Sequence, residues 1–105
     1  MKKYKRPSWD EYFFNIMDAV ALRATCSRGR SGCVITKDNY IMATGYVGAP
    51  AGHISCDDGG HILKRTQDTY TGEIEEHCIR SVHAEQNAIM HAARQGISLK
   101  SSTLY

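Results

Sequence analysis

The chain has 105 residues, a formal net charge of +2 and 42% hydrophobic residues, which fits one small globular domain and argues against disorder. This weak charge excludes the strongly basic surface that a nucleic-acid binder needs. No run approaches the ~20 apolar residues of a membrane span, and the N-terminus lacks the apolar stretch of a signal peptide. Four cysteines in a chain of this kind favour a reducing compartment. We therefore expect a cytoplasmic protein that binds neither nucleic acid nor membranes.

The first predicted element is a helix that begins at Ser8. Ser8 follows Pro7 and precedes Glu11 by three residues, which is the pattern of a capping box. Apolar residues then recur at helical spacing through about Arg23, and we expect them to face the core: Trp9, Phe13, Ile16, Met17, Val20 and Ala24.

A β-hairpin is predicted next. The apolar runs 33–35 and 41–44 are separated by the turn-forming residues Lys37, Asp38 and Asn39. Cys33 lies among apolar neighbours and is expected to be a core residue. The glycine-rich stretch 45–52, GYVGAPAG, predicts a loop that approaches another group closely.

The second half of the chain contains a long polar segment followed by a helix and a strand. Residues 53–79 show no apolar periodicity, so we expect an insert without regular structure that is functional, pinned by a metal, or mobile. Alanines favour a helix from His83 onwards, and Gly96 is a suitable stop. Residues 103–105 predict the start of a third strand, and we expect His53 and His91 to lie on the surface.

His83 and Glu85 form an H-x-E triplet at the predicted start of this helix. A neutral imidazole is a good zinc ligand, and a catalytic zinc keeps three protein ligands and a water, whose pKa it lowers toward ~7. A carboxylate beside it can move protons to a ring nitrogen and to a leaving amine. The triplet alone also fits a capping histidine followed by a first-turn carboxylate, and that alternative stays open at this level.

The wider sequence resembles the deoxycytidylate (dCMP) deaminases of the cytidine deaminase superfamily over nearly its whole length. The motifs that carry this resemblance occur in the same order and spacing: RPSWDEYF, Thr25-Cys26-x-Arg28, ATGYVGAPAG, Cys56-Asp57-Asp58 and HAEQNAI. The resemblance implies α/β/α layers around a mixed β-sheet, with residues 1–105 as the N-terminal part of a single cytidine-deaminase-like domain. It also implies zinc-dependent hydrolysis of dCMP to dUMP and ammonia, a step of pyrimidine nucleotide biosynthesis.

The resemblance implies roles for individual residues. His83 matches a ligand of the catalytic zinc, and Glu85 matches the catalytic proton shuttle. Arg28 matches a basic position near the nucleotide phosphate, although a solvated arginine fits that residue equally well. We also expect Ala84 and Val47 at the substrate. Val47 departs from the family, because relatives commonly carry at this position an asparagine that contacts the sugar, and valine leaves the choice of nucleotide open.

The second departure from the family concerns the metal. Relatives carry a P-C-x-x-C motif shortly after the position of Tyr105, and its two thiolates complete the catalytic zinc site. We therefore expect the 105-residue stretch alone to be inactive and to bind no tight metal at His83, because one imidazole does not build a three-ligand site.

A second group of potential ligands surrounds the polar insert. We predict a structural zinc held by Cys26, Cys56, His61 and Cys78, with His77 as the alternate ligand. Such a site would order an insert that has no apolar core of its own, and some phage and bacterial relatives resemble this pattern. The alternative is a set of ordinary buried thiols and exposed histidines.

We interpret the chain as a dCMP deaminase, and two other hypotheses remain. Within the superfamily, another small-molecule deaminase, for instance of riboflavin biosynthesis, fits better than a tRNA adenosine deaminase. From a different class, the second hypothesis is a regulatory or oligomerisation module that keeps the fold without the chemistry. The resemblance further implies a nucleotide substrate, dCTP and TTP as effectors, and a homo-oligomer, often a hexamer.

Overall fold

The computed structural model describes residues 3–26 and 29–105. The first helix, α1, spans Trp9–Ala21, and the Ser8 hydroxyl accepts a hydrogen bond from the Glu11 backbone N–H at 3.2 Å. This bond satisfies one of the N–H groups that a helix start leaves without a partner. The predicted cap is confirmed, and the helix ends two residues before the predicted Arg23.

The central sheet has three strands in the order β2-β1-β5. Strand β1 (Gly32–Lys37) pairs antiparallel with β2 (Tyr40–Tyr46) and, on its other edge, with β5 (Thr103–Leu104). Asp38 and Asn39 join β1 to β2 with φ angles of 53° and 65°. Two consecutive left-handed residues match the right-handed twist of a tight hairpin, and Asn and Asp tolerate that conformation. The predicted hairpin and third strand are confirmed.

Two helices cover opposite faces of this sheet. A Cβ atom on Gly32 would lie 2.5 Å from the Met17 carbonyl oxygen of α1, whereas one on Gly45 would lie 2.5 Å from the Ala84 carbonyl oxygen of the third helix. Gly45 pairs with Cys33, the neighbour of Gly32, so the two glycines face opposite sides of the pleat. The α/β/α layering is confirmed, and the strand pairs in the described ranges are all antiparallel.

The third helix, α3, spans Ala84–Arg94 and packs small side chains on the sheet. Ala84 and Ala88 are buried against Cys33 and Ile35 of β1, so Cys33 is the core residue that its sequence context predicted. Alanines let the helix approach the strands closely, and this closeness explains the need for glycine at position 45. Gly96 follows the helix with a φ of 69°, as expected for a helix stop.

The predicted absence of regular structure between residues 53 and 79 is wrong. The insert contains a short helix, α2 (Cys56–Gly59), and two paired antiparallel strands, β3 (Leu63–Gln67) and β4 (Ile74–Cys78). We call β3 and β4 together the ribbon. Every ribbon residue except the half-buried Cys78 is exposed. Because neither face of the ribbon is buried, its strands carry no alternation of apolar and polar residues, and periodicity did not reveal them.

Throughout residues 3–26 and 29–105, helices long and apolar enough to cross a membrane are absent.

Candidate functional site

His83 and Glu85 lie in the first turn of α3, at the end of the helix nearest the insert. His83 is the N-cap residue, and its backbone N–H donates to the Gln86 side-chain oxygen at 3.0 Å. Both His83 and Glu85 are exposed. The turn itself is firmly placed, because the buried Ala84 between them packs on β1. The start of α3 therefore presents an exposed imidazole and an exposed carboxylate from a backbone that is packed against β1.

Glu85 lies close enough to the sheet to affect a buried thiol. Burial raises the pKa of Cys33, and the negative charge of Glu85 raises it further. Cys33 is therefore a neutral core thiol at physiological pH.

A cavity of about 380 Å³ opens beside His83. On the α3 side its wall is formed by His83, Val82 and Val47. On the insert side it is formed by ribbon residues, including His77, and by two cysteines: Cys26 and Cys78. The cavity thus lies between the H-x-E turn and the residues predicted to bind a second metal.

The residues predicted to contact substrate have different positions. Val47 lines the cavity and is half-buried. The Ala84 side chain is buried in the core, so any contact of this residue with a ligand in the cavity has to use its backbone. Arg28 lies outside the described residues, although Gly29, which follows it, lines the cavity.

Cys26, Cys56, His61 and Cys78 come together in one cluster, which we call the Cys/His cluster. One ligand atom from each residue can be chosen so that all four lie within 4.8 Å of one another. Two of these separations are 3.4 Å between the Cys56 and Cys78 Sγ atoms and 3.5 Å between Cys26 Sγ and His61 Nδ1. Ligands of a tetrahedral zinc with ~2.3 Å Zn–S bonds lie roughly 3.8 Å apart. The donor set and its spacing therefore fit a zinc ion.

The surroundings of the Cys78 thiol stabilise its charged form. Burial raises the pKa of Cys78, but hydrogen bonds from Cys56, from His61 and from the backbone at Arg80 and Ile62 outweigh it and lower the pKa to about 6. Metals bind the thiolate form of cysteine, so these hydrogen bonds favour a metal ligand.

Cys56 has the opposite character. Burial, together with the neighbouring thiols of Cys78 and Cys26, raises the pKa of this thiol to about 11, although a hydrogen bond with Ser81 opposes the increase. Three thiols in such close contact cannot all ionise without a cation between them. The cluster therefore has the electrostatics of a site that needs a metal to hold several thiolates.

The segment between Cys78 and His83 is tied to the rest of the insert. The Ser81 hydroxyl lies 3.2 Å from Cys56 Sγ. The Arg80 guanidinium donates to the carbonyl oxygens of Gly60, at 2.8 Å, and Ile54, at 3.3 Å. Sequence reasoning missed Arg80 and Ser81, and their position between two predicted metal ligands was the signal available.

His77, the predicted alternate ligand, is not part of the cluster. Its Nε2 atom lies 3.1 Å from the Thr66 hydroxyl and 3.4 Å from a Glu75 carboxylate oxygen. Both contacts are within the ribbon, so the structure favours His61 over His77. His53 and His91 are exposed, as expected.

His83 contributes one donor to any metal at the H-x-E turn. Among the described residues, the Cys/His cluster is the only group of three or more potential ligands, and His83 does not belong to it. A zinc ion at His83 thus needs further donors besides those that the described residues bring there.

A layered α/β/α scaffold with an H-x-E turn beside a cavity and a Cys/His cluster defines a zinc-binding protein of the deaminase class. Comparison with known proteins agrees, because the family described as "Cytidine and deoxycytidylate deaminase zinc-binding region" matches residues 7–105. The chain belongs to this cytidine and deoxycytidylate deaminase family. The predicted family and the prediction of a zinc-binding protein are confirmed.

Individual relatives support the same conclusion. The chain is 39% identical over 104 residues to the deoxycytidylate deaminase of Mycobacterium phage D29, covering 95% of this chain and 77% of that protein. It is 37% identical over 92 residues to the deoxycytidylate deaminase of Schizosaccharomyces pombe, covering 88% of this chain but 28% of that protein. The Bacillus subtilis ComE operon protein 2 is 35% identical over 101 residues, with 96% and 48% covered. The chain therefore spans less than half the length of the last two relatives.

A solved structure shares the fold. The dCMP deaminase of cyanophage S-TIM5, in complex with dCMP and dUMP, superposes with a TM-score of 0.66 at 24% sequence identity. The match covers 96% of this chain and 65% of that chain. The cytidine-deaminase-like fold predicted from the sequence is thus confirmed.

Proposed function

We propose that the protein catalyses the zinc-dependent hydrolytic deamination of dCMP, in which dCMP and water give dUMP and ammonia. The observation that carries the proposal is the H-x-E turn: His83 lines the cavity, and Glu85 follows it on a helix start fixed against β1. Relatives named deoxycytidylate deaminase support the choice of substrate. A cavity of about 380 Å³ has the size of a small-molecule site.

In this proposal His83 is a ligand of the catalytic zinc and Glu85 moves the protons. Zinc, when bound, supplies a water that is a nucleophile at neutral pH. The Glu85 carboxylate takes one proton from the attacking water and gives it to N3 of the cytosine ring. It then takes the remaining proton from the hydroxyl group now bonded to C4 and gives it to the 4-amino group, so that the C4–N bond breaks, ammonia leaves and the C4 carbonyl of dUMP forms. The carboxylate is exposed, and the salt bridges found among the described residues do not involve it, so it is free to exchange protons with a substrate.

The remaining substrate contacts are also proposals. We infer that Val47 gives the sugar an apolar wall, that Arg28 faces the 5′-phosphate, and that the Ala84 backbone contacts the base. Val47 lines the cavity, which supports the first of these contacts. A valine side chain has no hydrogen-bonding group, so a sugar hydroxyl packed against Val47 would lack a hydrogen-bond partner. The Val47 wall therefore favours a part of the sugar that carries no hydroxyl group.

We propose that the Cys/His cluster binds a structural zinc. The four donors, their mutual distances and the depressed pKa of Cys78 support this assignment. Metal binding at this point would order the insert, whose ribbon buries almost no apolar surface.

The broader setting is proposed from the family resemblance. We infer that residues 1–105 belong to one cytidine-deaminase-like domain, that the protein forms a homo-oligomer in the cytoplasm, and that dCTP and TTP regulate it. Exposed apolar side chains on α3, Ile89 and Met90, are consistent with contact to another subunit.

The test compares Glu85→Gln with wild type in the full-length protein. Conversion of dCMP to dUMP is followed by ultraviolet absorbance and by ammonia release, with CMP, deoxycytidine and aminopyrimidine intermediates of riboflavin synthesis as competing substrates. Glu11→Gln, in the first turn of α1, is the matched control. We expect turnover of dCMP by wild type and Glu11→Gln and its loss in Glu85→Gln. Turnover of another compound alone would assign another deaminase, and no turnover at all would favour a regulatory module.

A further inference from the structure

Asn87 joins helix α3 to the glycine-rich loop through its side chain. The Asn87 Nδ2 group donates to the Tyr46 carbonyl oxygen at 2.9 Å and to the Gly48 carbonyl oxygen at 3.1 Å. Both N–H groups of this amide therefore donate hydrogen bonds to backbone carbonyl oxygens that lie about forty positions away along the chain. The two acceptors flank Val47, which lines the cavity.

The same loop is held by backbone hydrogen bonds from other segments. Val47 donates its N–H to the Ser31 carbonyl oxygen and accepts from the Thr25 N–H, each at 3.0 Å. Gly48 pairs with Val82, whose N–H donates to the Gly48 carbonyl oxygen at 2.9 Å. The Gly48 carbonyl thus accepts from both Val82 and Asn87. Asn87 is the only one of these partners that reaches the loop from a helix side chain.

We propose that Asn87 is a positioning residue for the substrate cavity. Its amide fixes the Tyr46–Gly48 segment against α3 and so sets the distance between the Val47 wall and His83. Asn87 and His83 lie one helical turn apart, and the Asn87 backbone N–H donates to the His83 carbonyl oxygen at 3.0 Å. This inference rests on the proposed function, because it assigns the cavity to the substrate.

The proposal separates substrate binding from the chemical step. His83 and Glu85 are placed by α3 itself, through the burial of Ala84 and the Gln86 hydrogen bond to the His83 N–H. Loss of the Asn87 amide therefore moves the Val47 wall but leaves the H-x-E turn in place. We expect KM to rise and kcat to change little.

The first test replaces Asn87 by aspartate in the full-length protein. Asp has the same shape as Asn, but it places a carboxylate oxygen opposite two carbonyl oxygens and donates no hydrogen bond. We expect Asn87→Asp to raise KM for dCMP by about 10- to 100-fold, to change kcat less than about threefold, and to retain the zinc content. Asn87→Ala, which lacks the repulsion, is the milder variant at the same position.

The control variant is Ala92→Gly, at a buried position in the last turns of α3. It lowers helix stability at a position five residues beyond Asn87, while the Asn87 amide remains, so KM should stay at the wild-type value. An equal rise of KM in Ala92→Gly, or an unchanged KM in Asn87→Asp, would overturn the proposal.

A second measurement needs no variant and no turnover. In the wild-type protein, the Asn87 side-chain amide protons should exchange with solvent at least tenfold more slowly than those of the exposed Gln86 side chain. Equal exchange rates would show that the Asn87 hydrogen bonds do not hold the loop. If wild type does not deaminate dCMP, the proposed function is wrong, while slow exchange would still establish the contact between Asn87 and the loop.

Discussion

Loss of one ligand of the Cys/His cluster should release the ribbon while leaving the sheet intact. The perturbation is Cys78→Ser, which removes a thiolate whose Sγ lies 3.4 Å from that of Cys56. The matched control is Cys33→Ala, because Cys33 is the remaining cysteine of the chain and is buried in the core away from the cluster. Both variants remove one thiol, but only the first removes a proposed zinc ligand.

The size of the effect follows from how little the ribbon buries. Its five residue pairs are exposed apart from Cys78, and a two-stranded hairpin in water is marginally stable at best. If the Cys/His cluster binds the proposed zinc, nearly all of the ribbon's stability therefore comes from that metal. A ligand present at 1,000 times its Kd stabilises the bound state by about 4 kcal/mol. Since 1.4 kcal/mol corresponds to a factor of ten, amide protection in the ribbon should fall about 1,000-fold.

Hydrogen exchange and metal analysis together decide this prediction. In Cys78→Ser we expect one zinc fewer per chain and fast exchange of the N–H groups that pair Leu63–Gln67 with Ile74–Cys78. The β1–β2 amides should stay protected, because that hairpin is covered by α1 and α3. Cys33→Ala should keep its zinc and its protected ribbon. Retained ribbon protection in Cys78→Ser, or equal zinc loss in Cys33→Ala, would refute the assignment.

Three further predictions concern the H-x-E turn and the helix–sheet contact. Glu85→Gln should lower the turnover of dCMP by about 10²- to 10⁴-fold while zinc content and the circular dichroism spectrum stay unchanged. If the variant keeps more than about a tenth of wild-type turnover, a group other than Glu85 transfers the protons. His83→Ala in the full-length protein should bind one zinc fewer per chain, measured by inductively coupled plasma emission spectroscopy. An unchanged zinc content would show that His83 is not a zinc ligand. Gly45→Ala should lower the free energy of unfolding by about 1–3 kcal/mol in urea, because its Cβ would lie 2.5 Å from the Ala84 carbonyl oxygen. Gly29→Ala is its control, since no atom lies within 4 Å of the added Cβ, and an equal loss there would contradict the contact argument.

Elements that bury one face could be predicted from the sequence. The α1 helix has a capping serine and an apolar stripe, and both its start and its type were predicted correctly. The first hairpin was predictable because Asp38 and Asn39 form its turn and because the apolar residues of β1 are buried. The ribbon was not predictable from periodicity, since a strand exposed on both faces has no apolar pattern.

The Cys/His cluster illustrates what spacing can and cannot show. Cys26 and Cys56 are thirty positions apart, and nothing between them fixes their distance in space. Tertiary contacts bring them together: the Asp57 N–H donates to the Thr25 carbonyl oxygen at 3.1 Å, which joins α2 to the residue that precedes Cys26. The choice between His61 and His77 also depended on structure, because strand register directs His77 toward Thr66.

The insert and the H-x-E turn form a continuous support. Cys78 belongs to the cluster, Ser81 contacts Cys56, Val82 pairs with Gly48, and His83 begins α3, so the chain is held at almost every step from one site to the other. The hydrogen bonds of this short connection therefore link the Cys/His cluster to the start of α3. Four residues separate Cys78 from His83, so the insert contributes a wall of the same cavity that His83 lines. The polar insert is thus part of the architecture of the site, even though its ribbon contributes almost nothing to the hydrophobic core.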